Sequence, residues 1–556
     1  MYSVTASRLV VVAMLSVFAG VVSPYARSEV RTFDGSGNNL SQPWGMAGTP
    51  FSRLDSQAHY ADGVSLPGGI DRPNPRSISQ GVGKQYVPMF DEGCRSDYVW
   101  MWGQFIDHDI TLRRGGTEPM PILVSEPDLM SPVIPFFRSA AAPGTGTGTD
   151  NPRQQINDTT SFVDGSMIYG PSQSRADALR TFSGGMLATS NNGLLLPKNT
   201  GMLPNDNEGA LPADAMFLAG DVRANENIGL TAMHTLFVRE HNYWAGQLAA
   251  LNPTWDDEQL YQTARKIVSA EVQVVTYSEY LPMLLGDRAP DLATAAYDET
   301  VDPSIANEFA AAAYRLGHTQ VSPILMRMEA DRTMVPEGHM PLSDAFFHPN
   351  YLQTGADVDH LLMGATMQVM QQTDARVIST LRNSLFGQPG AGGLDLLSIN
   401  LQRGRDHGLP SYNEMRAVMG LDTASSFADI TSDTEVQAAL ASVYNSVDDV
   451  DLWIGGMAED HIANGIVGEL VSAIVADQFQ RLMAGDRMFF LWDNQLQSDQ
   501  TLYNAILDTR LSDIINRNTD GMHVQQNVFL VPEPASLAVL IPLFAALVHV
   551  RRRISQ

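Results

Sequence analysis

Long stretches in which apolar residues recur every three and four positions dominate this chain and leave little room for a sheet. The segments "LTAMHTLFVREHNYWAGQLAAL" (230–251), "DEQLYQTARKIVSAEVQVVTYSEYLPMLL" (257–285), "SIANEFAAAAYRLGH" (304–318), "DVDHLLMGATMQVMQ" (357–371) and "GIVGELVSAIVADQFQRLM" (465–483) each carry such a stripe, and period-two alternation is scarce. They predict a mainly α protein, a single large domain with few short strands and long irregular loops. Residues 30–95 are rich in Gly, Pro, Asn and Ser and read as an irregular arm, and "GTGTGTD" (144–150) reads as a mobile loop. No linker divides 96–520, and 44% hydrophobic against 17% charged residues allows a large core.

Both ends read as address labels. Arg8 followed by "LVVVAMLSVFAGVV" and "SPYARSEV" has the proportions of a secretory signal over residues 1–28, cut near Ala26. The other end, 529–556, holds a Pro-Glu-Pro, an apolar segment at 535–550 and then Arg551, Arg552 and Arg553, which would hold the tail to the cytoplasmic face of a membrane. It resembles the PEP-CTERM sorting tail of Gram-negative bacteria, which a membrane protease recognises and removes after transient membrane association. That leaves 29–528 as the working domain, outside the cytoplasm, in the medium or the extracellular matrix. The net charge of -27 repels phosphate backbones, so nucleic acid is not a partner. Cys94 is the one cysteine, so no intrachain disulfide forms.

Within the domain, "WGQFIDHDITL" (102–112) puts Gln104, Asp107 and His108 at i, i+3 and i+4 on one helix face, with Asp109 rotated about 100° from His108. A histidine in an apolar helix is more often a satisfied core residue than a catalyst, so further signals are needed. "TSFVDGSMIYG" (160–170), taken as extended, projects Thr160, Phe162, Asp164 and Ser166 to one side as oxygen donors for a hard cation, with Asp109 as second carboxylate; the plain alternative is a polar turn. Arg223 and Glu226 precede the 230–251 helix, where a surface ion pair is the plain reading, and His234 and His241 on that helix suit core packing. "AAAAYRLGHTQVSP" leaves space at Gly317 beside His318, as a flat cofactor would require, and "SINLQRGRDHGLPSYN" gathers Asn400, Arg403, Arg405, Asp406 and His407.

These strings, with "NPRQQINDTTSFVDGSMIYG", "MHTLFVREHN" and "DLWIGGMAEDH", stand in the order in which they occur in the animal-type haem peroxidases, and from about Arg31 to Asp493 the chain resembles that myeloperoxidase and peroxidasin superfamily. The resemblance implies an enzyme that uses hydrogen peroxide to oxidise halides, pseudohalides or small phenolic donors through a buried haem b. It makes His318 the iron ligand, Asn400 its partner, His108 the distal base, Arg223 its charged neighbour and Gln104 a halide-site residue. Arg403 would pair with a haem propionate, Asp107 and Glu226 would form esters to haem methyl groups, and Asp109, Thr160, Phe162 (through its carbonyl), Asp164 and Ser166 would bind calcium.

Asn227 stands where myeloperoxidase has a methionine bonded to haem through sulfur, which implies a milder oxidant, suited to bromide, iodide or thiocyanate rather than chloride. Two other functions fit the superfamily: fatty-acid oxygenation through a tyrosyl radical, and a non-catalytic matrix or adhesion role. The first needs a tyrosine three residues before the proximal histidine, where this chain has Arg315; the second is disfavoured by intact Gln104, His108, Arg223 and His318.

Overall fold

The computed structural model describes residues 29–532 except Glu126 and Ala210. The expected secretion signal and the apolar tail segment 535–550 lie outside the described residues. The helices that bear on the site and the core are α1 (Tyr98–Ile110), α2 (Ile228–Leu251), α3 (Asp257–Val275), α4 (Gly317–Gln320), α5 (Gly355–Met367), α6 (Leu396–Asp406), α7 (Glu469–Ala484) and α8 (Leu511–Asn518); other helices are named by their residues. Strands among the described residues form only two-stranded antiparallel ladders, such as Thr49–Pro50 with Ile156–Asn157 and Gly115–Pro119 with Phe137–Ser139. The fold is mainly α with few short strands, as the periodicity predicts.

The long helices start on side-chain caps. Asn227 is extended and accepts the N–H of Leu230 (2.9 Å) to open α2, and Asp256 with Gln259 forms a capping box on α3. Each such cap contributes about 1 kcal/mol. α1 packs against both α2 and α4, and α2 also packs against α3, α5 and α8. At the α1–α2 contact Phe105 stacks on Phe237 (5.0 Å between ring centres, 28°) and Trp102 meets both rings, all three closed to water. Burial of such rings stabilises by roughly 1.5–3 kcal/mol each.

Three expected helices end or bend early. The 304–318 segment is helical over Asn307–Ala311, breaks at Ala312 (φ -136°, ψ -79°), tightens to a 3₁₀ turn over Ala313–Leu316 and resumes as α4. In a straight helix Phe309 and Tyr314 would point about 140° apart. Here their rings stack at 4.6 Å and 15°, so tertiary packing overrides the helix propensity of the alanine run. The 257–285 segment widens into a π turn at Thr276–Tyr280, and α5 stops at Met367 so that Gln368 and Met370 can pair with the backbone of Asp97 and Arg95.

Ion pairs do the stapling that disulfides would do elsewhere. Arg517 pins α8 to Glu240 (2.7 Å) and Glu271 (2.6 Å), both fully buried. Burial and the Glu240 charge push Glu271 well above the usual carboxylate range, so this pair favours holding a proton. Cys94 is exposed and free. No helix among the described residues is long and apolar enough to cross a membrane.

Candidate active site

α1 divides its acidic residues as helix geometry demands. On one face, Gln104 donates to Glu226 Oε1 (2.9 Å) and accepts from Asn227 Nδ2 (3.3 Å), while Asp107 accepts from Thr111 Oγ1 (2.8 Å) and faces Arg223 Nη1 at 3.5 Å. His108 is buried, its Nδ1 3.4 Å from Asp221 Oδ1 and out of line for a hydrogen bond. Asp221 in turn grips Arg223 through Nε (2.9 Å), Nη2 (2.8 Å) and the backbone N–H (2.7 Å). Burial, aided by Arg223, depresses His108 well below the ordinary imidazole value and keeps it neutral. Burial also raises Asp107, and pushes Glu226 up to about 7.

α4 presents His318 toward the same region, one short helix away from α1. Its Nδ1 lies 3.1 Å from Asn400 Oδ1 and 2.9 Å from Asn400 Nδ2. Arg315 Nη1 donates to Asn400 Oδ1 (3.1 Å), which fixes that atom as the oxygen; His318 Nδ1 stands within reach of both Asn400 atoms and donates to Oδ1 when it carries the ring proton. His318 Nε2 makes no hydrogen bond among the described residues, and a Cβ added to Gly317 would meet nothing within 4 Å. Burial, reinforced by Arg315, pushes His318 down to about 3, so the ring stays neutral.

Asp107, Arg223, Glu226, Arg315 and His318 are each partly buried and none is sealed from water; the region they share is the candidate slot. Four guanidinium groups act on it: Arg113, Arg223, Arg315 and Arg403 feel one another's charge, and burial depresses Arg113, Arg315 and Arg403. Arg403 uses only Nη1, on Asp406 Oδ2 (2.8 Å), Ser139 Oγ (3.0 Å) and Phe137 O (3.1 Å). Asp107, Asp206, Asp221 and Asp406 lie among these groups, so the charges largely balance, and Arg113 and Arg315, neither of which makes an ion pair among the described residues, are the groups left to face an anionic guest. A separate cavity of about 400 Å³ between α3 and the N-terminal arm touches none of these residues; charge and donor chemistry, not volume, mark the slot.

On the opposite face of α1, Asp109 Oδ2 accepts the backbone N–H groups of Asp164 (3.0 Å) and Gly165 (3.1 Å). Residues 159–164 are bent, not extended as the sequence suggests, and wrap around Asp109 before the short helix Ser166–Tyr169. Thr160 Oγ1 lies 3.2 Å from both Asp164 oxygens, and Ser166 Oγ donates to Asp109 O (2.6 Å). Asp109 and Asp164 are closed to water; burial and the Asp164 charge raise Asp109 above the usual carboxylate range, and burial raises Asp164 against the pull of Arg31 and Arg265. Among the described residues no three acidic, histidine or cysteine side chains converge; this cluster offers two carboxylates, and its remaining oxygens are hydroxyl and carbonyl.

A family model of the animal haem peroxidase matches residues 30–529. The chain belongs to the animal haem peroxidase family. Peroxinectin A of Dictyostelium discoideum is 35% identical over 541 residues, covering 94% of this chain and 99% of that one. The solved structure of peroxidase A from the same organism superposes with a TM-score of 0.84 at 34% identity, over 90% of this chain and 100% of the other. A fatty acid alpha-dioxygenase from Arabidopsis thaliana shares the fold (TM-score 0.76, 20% identity, 91% and 85% covered). The enzyme is thus a haem-dependent peroxidase.

The peroxidase slot fits a haem on its own evidence: an unengaged imidazole nitrogen at His318 with its other nitrogen against Asn400, open space beside Gly317, and two guanidinium groups, Arg113 and Arg315, without an ion pair among the described residues. The oxygen cluster fits a hard cation, because two sealed carboxylates otherwise repel. The fold gathers Gln104, Asp107, His108, Arg223 and Glu226, joins His318 to Asn400, and sets Asp109 with Thr160, Asp164 and Ser166; the Phe162 carbonyl makes no hydrogen bond among the described residues. Sequence reasoning missed Asp221, whose only signal was its position two before Arg223, and missed Arg315 as the residue that orients Asn400. His241 is structural, bonded to Tyr169 OH (3.0 Å) and Gly185 O (2.8 Å). Tyr314 stacks on Phe309 with its hydroxyl buried and unbonded.

Proposed function

We propose that this protein is an extracytoplasmic peroxidase that oxidises small anions (bromide, iodide, thiocyanate) or small phenols with hydrogen peroxide. The observation that carries it is two neutral histidines on packed helices, His318 with Nε2 available and Nδ1 against Asn400, and His108 beside the clamped Arg223. Bound haem b supplies the redox chemistry, taking two oxidising equivalents from peroxide. His318 Nε2 holds the iron, and Asn400 keeps the donor proton on Nδ1 and raises the ring's basicity. His108 Nε2 takes the proton from the near peroxide oxygen and returns it to the far one, while Arg223 offsets the charge that develops as the O–O bond lengthens. Asp107 and Glu226 would hold the haem edge through ester links, and Arg403 would pair with a propionate.

Gln104, held between Glu226 and Asn227, is the polar contact for the donor anion. Calcium at Asp109, Thr160, Phe162 O, Asp164 and Ser166 clamps the turn that aims His108. A secretion signal at 1–28 and a sorting tail at 529–556, removed by a membrane protease after transient membrane association, fit a Gram-negative cell-surface or matrix enzyme. Oxygenation of fatty acids is the weaker reading, because Arg315 occupies the tyrosine position and is committed to Asn400.

The test is His318→Ala in purified holoenzyme. It should lose haem and all peroxide-dependent bromide or iodide oxidation; an unchanged Soret band in the variant sinks the assignment.

A further inference from the structure

We propose that Asp221 is a positioning residue of the distal site, one buried carboxylate that sets the orientation and tautomer of His108 and fixes the guanidinium of Arg223. It rests on the reading of His108 and Arg223 given above.

Asp221 is itself rigidly held. It is 3% exposed, and its backbone N–H donates to Met167 O (3.1 Å), tying it to the Ser166–Tyr169 turn. Burial works against its charge, but Arg223 outweighs that and holds it well below the usual carboxylate range. It therefore offers acceptors only.

Both oxygens are in use. Oδ1 takes the Arg223 backbone N–H and Nε, Oδ2 takes Nη2, and Nη2 also donates to Thr111 O (2.6 Å). A guanidinium gripped along one edge in this way cannot rotate, and Nη1 is left facing the slot beside Asp107.

His108 presents Nδ1 to Oδ1 at 3.4 Å. A neutral imidazole beside an acceptor-only group keeps its proton on the nitrogen facing that group. The other nitrogen, Nε2, then carries a lone pair, the form a base needs to receive a proton from peroxide. The charged groups around His108 are Asp221 and Arg223, with His234 nearby on α2. Asp221 is the acceptor that faces Nδ1, through a 3.4 Å electrostatic contact and not a formed hydrogen bond; Arg223 offers no acceptor, and His234 makes no hydrogen bond to His108. An amide there removes the charge that favours the proton on Nδ1, and because Arg223 donates to Oδ1 twice, its NH2 group must face Nη2 and break that grip. In triads of the Ser-His-Asp type the same exchange costs about 10⁴-fold in rate.

The experiment compares Asp221→Asn, His108→Ala and the double variant as holoenzymes. Cyanide association is measured alongside the peroxide reaction, because hydrogen cyanide must also give its proton to a distal base as it binds. Asp221→Asn should slow both by about 10²-fold or more with haem content unchanged. In the His108→Ala background the same change should add less than about threefold, since residues acting as one unit are not additive. Asp221→Glu should recover part of the loss. Wild-type rates in Asp221→Asn with slow His108→Ala overturn the proposal alone; wild-type rates in His108→Ala overturn the underlying reading of the base. A full Asp221→Asn effect that survives without His108 limits the residue to Arg223 and overturns the tautomer assignment. NMR of the resting wild-type enzyme, before any proton is transferred to His108, gives a check that needs no variant: an exchangeable proton on Nδ1 with none on Nε2 is expected, and the reverse refutes it.

Discussion

Replacing Asn400 should separate the orienting of His318 from the binding of iron. Asn400 is fully buried and accepts from both Arg315 Nη1 and His318 Nδ1 at 3.1 Å. Asn400→Leu removes both acceptors at similar volume and leaves two enclosed donors unpaired, at roughly 1–3 kcal/mol each. The apo-protein should therefore lose about 2–5 kcal/mol of stability. Loss of a ligand's orienting partner weakens metal binding by about 10–100-fold, which is roughly 1.4–2.7 kcal/mol. Asn400→Asp puts a carboxylate where Arg315 lacks one, retains haem, and strengthens the bond from Nδ1–H, so the ring donates more electron density to iron. Reduction potential should then be lowest in Asn400→Asp, intermediate in the wild type and highest in Asn400→Leu. Soret titration of apo-protein with hemin reads the affinity, and spectroelectrochemistry reads the potential. Equal affinity and equal potential in all three proteins would falsify the partnership.

Three further outcomes follow from the same geometry. Alanine at His108 or Arg223 should slow the reaction with peroxide in stopped flow by roughly 10²- to 10³-fold while resting haem content stays near wild type; unaltered rates would remove them from the chemistry. Asp164→Ala lies far along the chain from His318, yet it should lower turnover and melting temperature together, and excess calcium should restore part of both; full activity in protein shown by metal analysis to be calcium-free would end that coupling. His241, pushed down to about 4 by burial, stays neutral in the fold while the unfolded chain protonates near 6.5. Its neutral form thus stabilises above pH 6.5, and stability falls by up to roughly 3 kcal/mol as pH drops from 6.5 toward 4. His241→Gln should flatten that slope in denaturant titrations, and an unchanged slope would count against it.

Local relations were legible in the sequence because helix geometry alone determines them. Gln104, Asp107 and His108 had to share a face, and Asp109 had to serve another client, once residues 98–110 were helical. The mainly α class followed for the same reason, since a three-and-four stripe buries one side of a helix and nothing else. The order of six motifs carried the family. Other features depended on chain segments far apart. Nothing near Asn400 says that Arg315, 85 residues earlier, will orient it, and nothing near His108 says that Asp221 will face it. The break at Ala312 runs against the local propensity of an alanine run, and only the stacking of Phe309 on Tyr314 explains it. The bent loop at 159–164 was missed because its shape comes from Asp109, which lies on another element. Periodicity records which side of a helix is apolar, and so the sequence by itself determined the helices, their faces and the residue types of the site. The partner each polar group finds in the interior depends on how the helices cross and where they kink; tertiary structure alone decided which carboxylate, amide and guanidinium meet the two histidines.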